Sequence, residues 1–329
     1  MWNLVGHEWA ARLLGSSIAK GRLTHAYLFT GPPNVGKTTL ALNFAQAILC
    51  GGEEPPCQEC AACRQIARRS HSDVRLVEAE GSTFKIGQVR ELEREASLAP
   101  YSGRYRVYIL SEAERMSTEA ANALLKTLEE PPDPVILILT ASDASLLPAT
   151  IASRCQMLNL RPVPLETIKQ SLMEHEGADA ARSELLARVS GGRPGWAIAA
   201  LRDPKLMETR QQRIAELLEL AGADLTRRWE LTGKMPTNRE TLRDILNIWL
   251  IWWRDVLLVA SGQAGHIANL DYQEHLRAIA AQCSAKAASS FLSQLMLTIR
   301  RLGQNANTRL ALEVLTMDMP RITQPAHGG

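Results

Sequence analysis

Eight consecutive residues, Gly31-Pro32-Pro33-Asn34-Val35-Gly36-Lys37-Thr38, form a complete phosphate-binding loop and constrain the fold more than any other feature of the chain. Such a loop works only between a strand and a helix. Its glycines let the backbone curl until successive N–H groups face a phosphate, Lys37 reaches the terminal phosphates, and the Thr38 hydroxyl holds Mg²⁺. The flanks agree: His25 to Thr30 reads as a short buried strand, and Thr39 to Leu49 as a helix whose N-terminal dipole adds to the anion site. Gly31, Asn34, Val35, Gly36, Lys37, Thr38 and Thr39 are therefore the expected contacts of a nucleoside triphosphate.

Hydrophobic spacing extends this unit into a sheet. Asp73 to Glu78 is predicted as a strand, Ile86 to Ala96 as a helix, and Tyr105 to Leu110 as a buried strand. Ala121, Leu124, Leu125 and Leu128 recur at i, i+3, i+4 and i+7, on a helix that Ser117 can cap and Pro131-Pro132 must stop. Val135 to Thr140 is a further β-rich run ending in a polar turn. This alternation predicts a parallel sheet with helices on both faces. From Pro164 onward the spacing is helical, with breaks near Gly191-Gly192-Arg193-Pro194-Gly195 and Arg202-Asp203-Pro204. The breaks predict an α/β domain of residues 1–162, a small helical domain of 163–205 and a larger helical domain of 208–329.

Six cysteines are present, and Cys50, Cys57, Cys60 and Cys63 fall within fourteen residues just past the helix that the phosphate loop opens. Cys57-x-x-Cys60-x-x-Cys63 supplies thiolates from a tight knuckle, and Cys50 can complete a tetrahedral site, so a closed, structural zinc is expected. An iron–sulfur cluster or a redox pair would use the same residue type. Cys155 and Cys283 stand alone and are expected to act as small buried hydrophobes. The histidines are scattered, and none is assigned to a metal.

Net charge of +2 excludes strong nonspecific attraction to DNA, so any nucleic-acid contact must come from a local patch or from partners. The most apolar run, Ile245 to Ala260, carries Asn247, Arg254 and Asp255 and is too short and polar to span a bilayer. Met1-Trp2-Asn3-Leu4 leads into a charged helical pattern rather than a cleavable leader. A cytoplasmic location without membrane attachment is expected.

Taken together, four stretches resemble the AAA+ clamp-loader subunits of bacterial DNA polymerase III, and among them the delta-prime branch, over nearly the whole chain. They are Leu23-Thr24-His25-Ala26-Tyr27-Leu28-Phe29, the cysteine knuckle, Asn122-Ala123-Leu124-Leu125-Lys126-Thr127-Leu128-Glu129-Glu130-Pro131-Pro132, and Ser153-Arg154-Cys155. The resemblance implies an AAA+ α/β domain followed by a helical lid domain and an all-α collar domain that oligomerises. It implies ATP with Mg²⁺ as ligand, and gamma/tau and delta subunits as partners in a heteropentameric ring. The sliding clamp would be reached indirectly and primed DNA through the assembled complex. It further implies that Arg154 crosses a subunit interface into a neighbour's ATP site. A guanidinium on the γ-phosphate offsets charge that builds in the transition state, which raises the rate by orders of magnitude.

Two departures set the chain apart from a motor subunit. Where a hydrolysing member carries Asp-Glu after the strand ending Ile109-Leu110, this chain has Ser111-Glu112, so Glu112 remains a candidate to polarise water while the metal-supporting carboxylate is a hydroxyl. Binding should survive this change better than turnover does. Glu114 is placed either to compensate or to pair on the surface. The arginine that senses the γ-phosphate from the lid would align near Gly195, and Arg193 lies two residues away. Thr140 and Ser142 are candidates for the other sensor. Trp249, Trp252 and Trp253 are expected not to share one core, so some should meet a neighbouring subunit. Against the delta-prime reading stand a gamma/tau-like motor subunit and an unrelated phosphate-loop enzyme such as a kinase. Ser111 and the lack of an extension past the collar disfavour the motor; the kinase leaves Ser153-Arg154-Cys155 without a purpose.

Overall fold

The computed structural model describes residues 2–81, 83–303 and 307–322. These fall into two compact units, Met1–Ser171 with Gly192–Trp196, and Leu172–Gly191 with Ala197–Gly329.

In the first unit, α1 (Glu8–Ala19) precedes β1 (Ala26–Thr30), α2 (Lys37–Leu49), α3 (Ala61–Ala67), β2 (Val74–Val77) and α4 (Ile86–Ala96). Then come β3 (Arg106–Leu110), α5 (Thr118–Glu129), β4 (Val135–Ala141), α6 (Ala149–Ala152) and β5 (Gln156–Asn159). The strands form one five-stranded sheet in the order β2-β3-β4-β1-β5, parallel throughout. This is the α/β class that the alternation predicts. The central strands β1 and β4 are buried at every position, which is why they read as unbroken apolar runs.

Side-chain alternation along the strands divides the core between the two faces. Tyr27, Phe29, Val107, Ile109, Ile136 and Ile138 pack with Leu14 of α1 and Leu40 and Phe44 of α2. The Tyr27 and Phe44 rings meet edge to face with centroids 4.9 Å apart. Leu28, Tyr108, Leu110, Leu137 and Leu139 face the other way, against Val89 and Leu92 of α4 and Leu124 and Leu128 of α5. The Ser117 hydroxyl accepts from the Ala120 amide at 3.1 Å and caps α5. The edge strand β5 carries no sequence signal, because among its residues only Leu158 is buried.

The second unit is helical. α7 (Leu165–Glu176) and α9 (Pro194–Arg202) begin in the first unit, and their later residues belong to this one together with α8 (Ala180–Val189), α10 (Pro204–Gly222) and α11 (Leu225–Gly233). The long α12 (Arg239–Ala260), α13 (Gln273–Ala280), α14 (Ala285–Gly303) and α15 (Thr308–Met317) complete it. Here one expectation is corrected: Trp249, Trp252 and Trp253 are all at most 1% exposed and share one core. Positions 249, 252, 253 and 256 are spaced i, i+3, i+4 and i+7, so one face of α12 carries all three rings. Residues from α10, α13 and α14 enclose them, with Phe291 5.0 Å from Trp253 and Tyr272 5.4 Å from Trp252 between ring centroids. Among the described residues, no helix is long and apolar enough to cross a membrane.

Candidate functional site

Because β1, β3 and β4 run parallel, the segments that leave their carboxyl ends meet at one edge of the sheet, where open α/β sheets bind ligands. The phosphate loop leaves β1 there. Gly31 has φ 141°, and a Cβ at this position would come 2.3 Å from the Leu160 carbonyl oxygen, so only glycine fits. Gly36 (φ 111°) starts α2, whose first residue is Lys37. Lys37 Nζ donates to the carbonyls of Gly31 at 2.7 Å and Pro32 at 2.9 Å, inside its own loop, where a phosphate oxygen would compete with them. Thr38 and Thr39 occupy the first turn of α2.

Two residues outside the phosphate-loop motif also touch this loop. The buried His7 ring donates from Nε2 to the Val35 carbonyl at 3.2 Å, and burial holds its pKa below the usual histidine value. The Gly195 amide donates to the Asn34 carbonyl at 3.0 Å. A Cβ at Gly195 would lie 3.0 Å from that same oxygen, so this glycine backs directly onto the phosphate loop. Arg193 instead stacks over the Trp196 ring, 5.8 Å from its centroid. No motif marks His7; Gly195 was legible only as a missing arginine.

The segment after β3 meets the end of β4. The Ser111 amide donates to Val77 O at 3.0 Å, and the Glu112 amide donates to Thr140 Oγ1 at 3.1 Å. Glu112 adopts φ 57°, ψ 53°, and Arg115 Nη1 donates to its carboxylate at 2.7 Å. Glu114 Oε1 accepts from the Ser142 amide at 2.8 Å, which makes it a tie between the two loops rather than a surface salt bridge. Thr140 and Ser142 thus brace the acidic segment, the hydroxyl of one and the amide of the other serving as partners.

Arg154 lies elsewhere in the unit, in the turn between α6 and β5. Its amide donates to Ile151 O at 3.1 Å, and Cys155, half-buried against the core beneath the sheet, anchors the turn on the inner side. Burial pushes the Cys155 thiol up to about 12. The Arg154 guanidinium, 35% exposed, donates to Glu129 Oε1 at 2.7 Å and to Thr150 O at 2.9 Å. The chain therefore joins the ends of the Leu128-Glu129-Glu130-Pro131-Pro132 and Ser153-Arg154-Cys155 stretches through one ion pair.

Cys50 follows the last residue of α2, and Cys57, Cys60 and Cys63 sit on the loop and first turn of α3. Their four sulfurs lie within 4.8 Å of one another. A tetrahedral zinc with Zn–S near 2.3 Å would bring sulfurs to about 3.8 Å apart, so a small inward adjustment suffices. Backbone amides already point at the sulfurs, Gly52 N and Cys57 N at Cys50 Sγ, Cys60 N at Cys57 Sγ, and Cys63 N at Cys60 Sγ, at 3.3 to 3.4 Å. Against desolvation, the amides of Cys63 and Gly51 help pull Cys60 down to about 6, while burial pushes Cys63 up to about 12. The amide of Cys60 is the main influence lowering Cys57. The cluster can hold zinc, with all four ligands supplied by protein. Cys283, the other isolated cysteine, is buried in the helical core.

The family model described as "DNA polymerase III, delta subunit" matches residues 6–164. The chain is 30% identical to DNA polymerase III subunit delta' of Bacillus subtilis over 315 residues, which is 93% of this chain and 94% of that protein. The chain belongs to the delta-prime family of DNA polymerase III subunits. It is also 27% identical to DNA polymerase III subunit tau of Bacillus subtilis, over 99% of this chain and 62% of that protein. A gamma-subunit-related protein of Thermotoga maritima is similar in structure at a TM-score of 0.46 and 18% identity, covering 93% of this chain and 97% of that one, a likeness too loose to carry further weight. Both matches span the sheet unit and the helical unit of this chain; they differ in that the delta-prime relative is covered to 94% of its length and tau to 62%.

Proposed function

We propose that this delta-prime family member is a structural arm of a clamp-loader ring that lends Arg154 to a neighbouring ATPase subunit. The ring would open the sliding clamp and place it on primed DNA in the cytoplasm. On this reading residues 1–162 form the nucleotide-binding domain, 163–205 the lid and 208–329 the collar that joins gamma/tau and delta subunits.

The observation that carries the reading is a contrast between the two reaction centres the chain can serve. At its own loop, Ser111 stands where a metal-supporting carboxylate is needed, and the Glu112 carboxylate is paired with Arg115. A water at the γ-phosphate then lacks a fully compensated metal, and Glu112 has to leave its exposed pair with Arg115 before it can act as a base. Lys37 and Thr38 with the loop amides still suit ATP and Mg²⁺, so weak binding outlasts turnover. At the neighbour's centre, the Arg154 guanidinium stands on an anchored turn at the surface, and its charge would act where negative charge develops. The cysteine knuckle would hold zinc as a fixed structural strut at the end of α2.

An intact Lys37-Thr38 pair and the similarity to tau favour a motor subunit as the second reading. Hydrolysis by the purified chain separates the two. The expected result is ATP binding with turnover close to the uncatalysed rate, whereas brisk turnover by the lone chain would establish the motor.

A further inference from the structure

Glu129 is the last residue of α5, where the carbonyl ends of the helix present the negative pole of its dipole. An acid is unfavourable there unless something cationic faces it. Arg154 does so across 25 positions of sequence, with Nη2 donating to Glu129 Oε1 at 2.7 Å. Nη1 donates to Thr150 O at 2.9 Å, so the guanidinium is held at two points by its own chain. Both supports are themselves fixed: Pro131-Pro132 follow the end of α5, and the Arg154 turn is closed by Ile151 O and by Cys155 against the core.

We propose that Glu129 is a positioning residue for Arg154: it holds the guanidinium in one fixed arrangement at the surface, so that the side chain meets a neighbour's phosphate already ordered. This rests on the arginine-finger reading given above. An arginine loses much rotamer freedom when it docks, and a brace within its own chain removes part of that loss before the neighbour arrives. A guanidinium has five N–H donors, and the contacts to Glu129 and Thr150 leave the others for an oxyanion. Glu129 is 52% exposed, and an ion pair in such surroundings is weak enough to orient the arginine without withholding it from a phosphate.

The test is a double-mutant cycle in the reconstituted loader, with kcat and KM for ATP measured in the presence of clamp and primed DNA. Glu129→Ala is expected to lower kcat by about 3- to 10-fold with KM little changed. Glu129→Gln, which keeps the shape and an acceptor oxygen, should recover part of the loss. Glu129→Ala with Arg154→Ala should be no slower than Arg154→Ala alone, because the brace acts only through the arginine. A wild-type rate for Glu129→Ala beside an impaired Arg154→Ala would overturn the brace and leave the finger standing. A double variant slower than Arg154→Ala would also overturn it, by showing that Glu129 acts through another group. If Arg154→Ala itself turned over normally, the finger reading would fail and the brace with it.

Discussion

Replacing Arg228 should loosen the helical unit more than any single surface change, and the structure supplies the size of the effect. The side chain is 3% exposed and lies where two helices end. Its Nε donates to Leu220 O at 2.9 Å and Nη2 to Ala221 O at 3.0 Å, both on the last turn of α10. Nη1 donates to Thr316 O at 3.2 Å on α15 and to Met319 O at 2.6 Å just beyond it. One cation thereby satisfies the open carbonyls of two converging negative helix poles. Burial draws its pKa below the usual guanidinium value, and like charge on Arg321 adds to this, so the fit carries a desolvation cost that only the full set of acceptors offsets. Arg228→Met keeps the aliphatic stem but strands those carbonyls, and about 3–5 kcal/mol should be lost. Arg228→Lys keeps the charge on fewer, differently placed donors and should lose about half as much. Tryptophan fluorescence in a urea titration reads the unit directly, since Trp249, Trp252 and Trp253 share its core. The expected result is an earlier red shift in the order wild type, Lys, Met. An unchanged midpoint for Arg228→Met would refute the argument that this guanidinium joins the two helix ends.

Three further outcomes follow from the geometry. Metal analysis should find about one zinc per chain, sharply reduced in Cys60→Ser, and a coloured iron-containing preparation would reject the closed zinc site. Asp73 accepts from the amides of Tyr101, Ser102 and Gly103 at 2.6 to 2.8 Å, and these bonds outweigh desolvation to hold its pKa below the ordinary carboxylate value. With a depressed folded pKa, this stabilisation is present above the unfolded value near pH 3.9 and is lost as pH falls through the folded one. Asp73→Asn should lower the melting temperature near neutral pH, and the gap to wild type should close on acidification; a gap that stays constant would show that the charge is irrelevant. Finally, Gly195→Ala should weaken ATP binding several-fold, because its methyl would press on the Asn34 carbonyl of the phosphate loop, and an unchanged affinity would show that the loop yields without cost.

Contiguous signals carried most of the fold. β1 and β4 were legible because strands buried on both faces leave unbroken apolar runs, and α5 because Ser117 and Pro131 bracket a clean helical period. β5 was not, since an edge strand with Gln156, Met157 and Asn159 at least partly exposed has no such run. The tryptophans of α12 were misplaced for a different reason. Their closeness in sequence suggested divergent directions, whereas the helical repeat returns 249, 252 and 253 to one face, and neighbouring helices wide enough to cover them cannot be read from α12 alone. At the site, the phosphate loop and the cysteine cluster are short motifs whose geometry is nearly local. The Arg115–Glu112 and Arg154–Glu129 pairs depend on rotamers and on which turns the sheet brings together, and the contacts of His7 and Gly195 with the loop depend on chain paths that no motif encodes.

The central claim is an asymmetry between what this chain does at its own pocket and what it does for a neighbour. Two loaders measure it, each reconstituted with wild-type partners and differing only here, one carrying Lys37→Ala and the other Arg154→Ala. Clamp- and DNA-stimulated ATP hydrolysis should stay near the wild-type rate in the first and fall by about 10-fold or more in the second. The reverse pattern, with the Lys37 variant crippled and the Arg154 variant unaffected, would contradict the account.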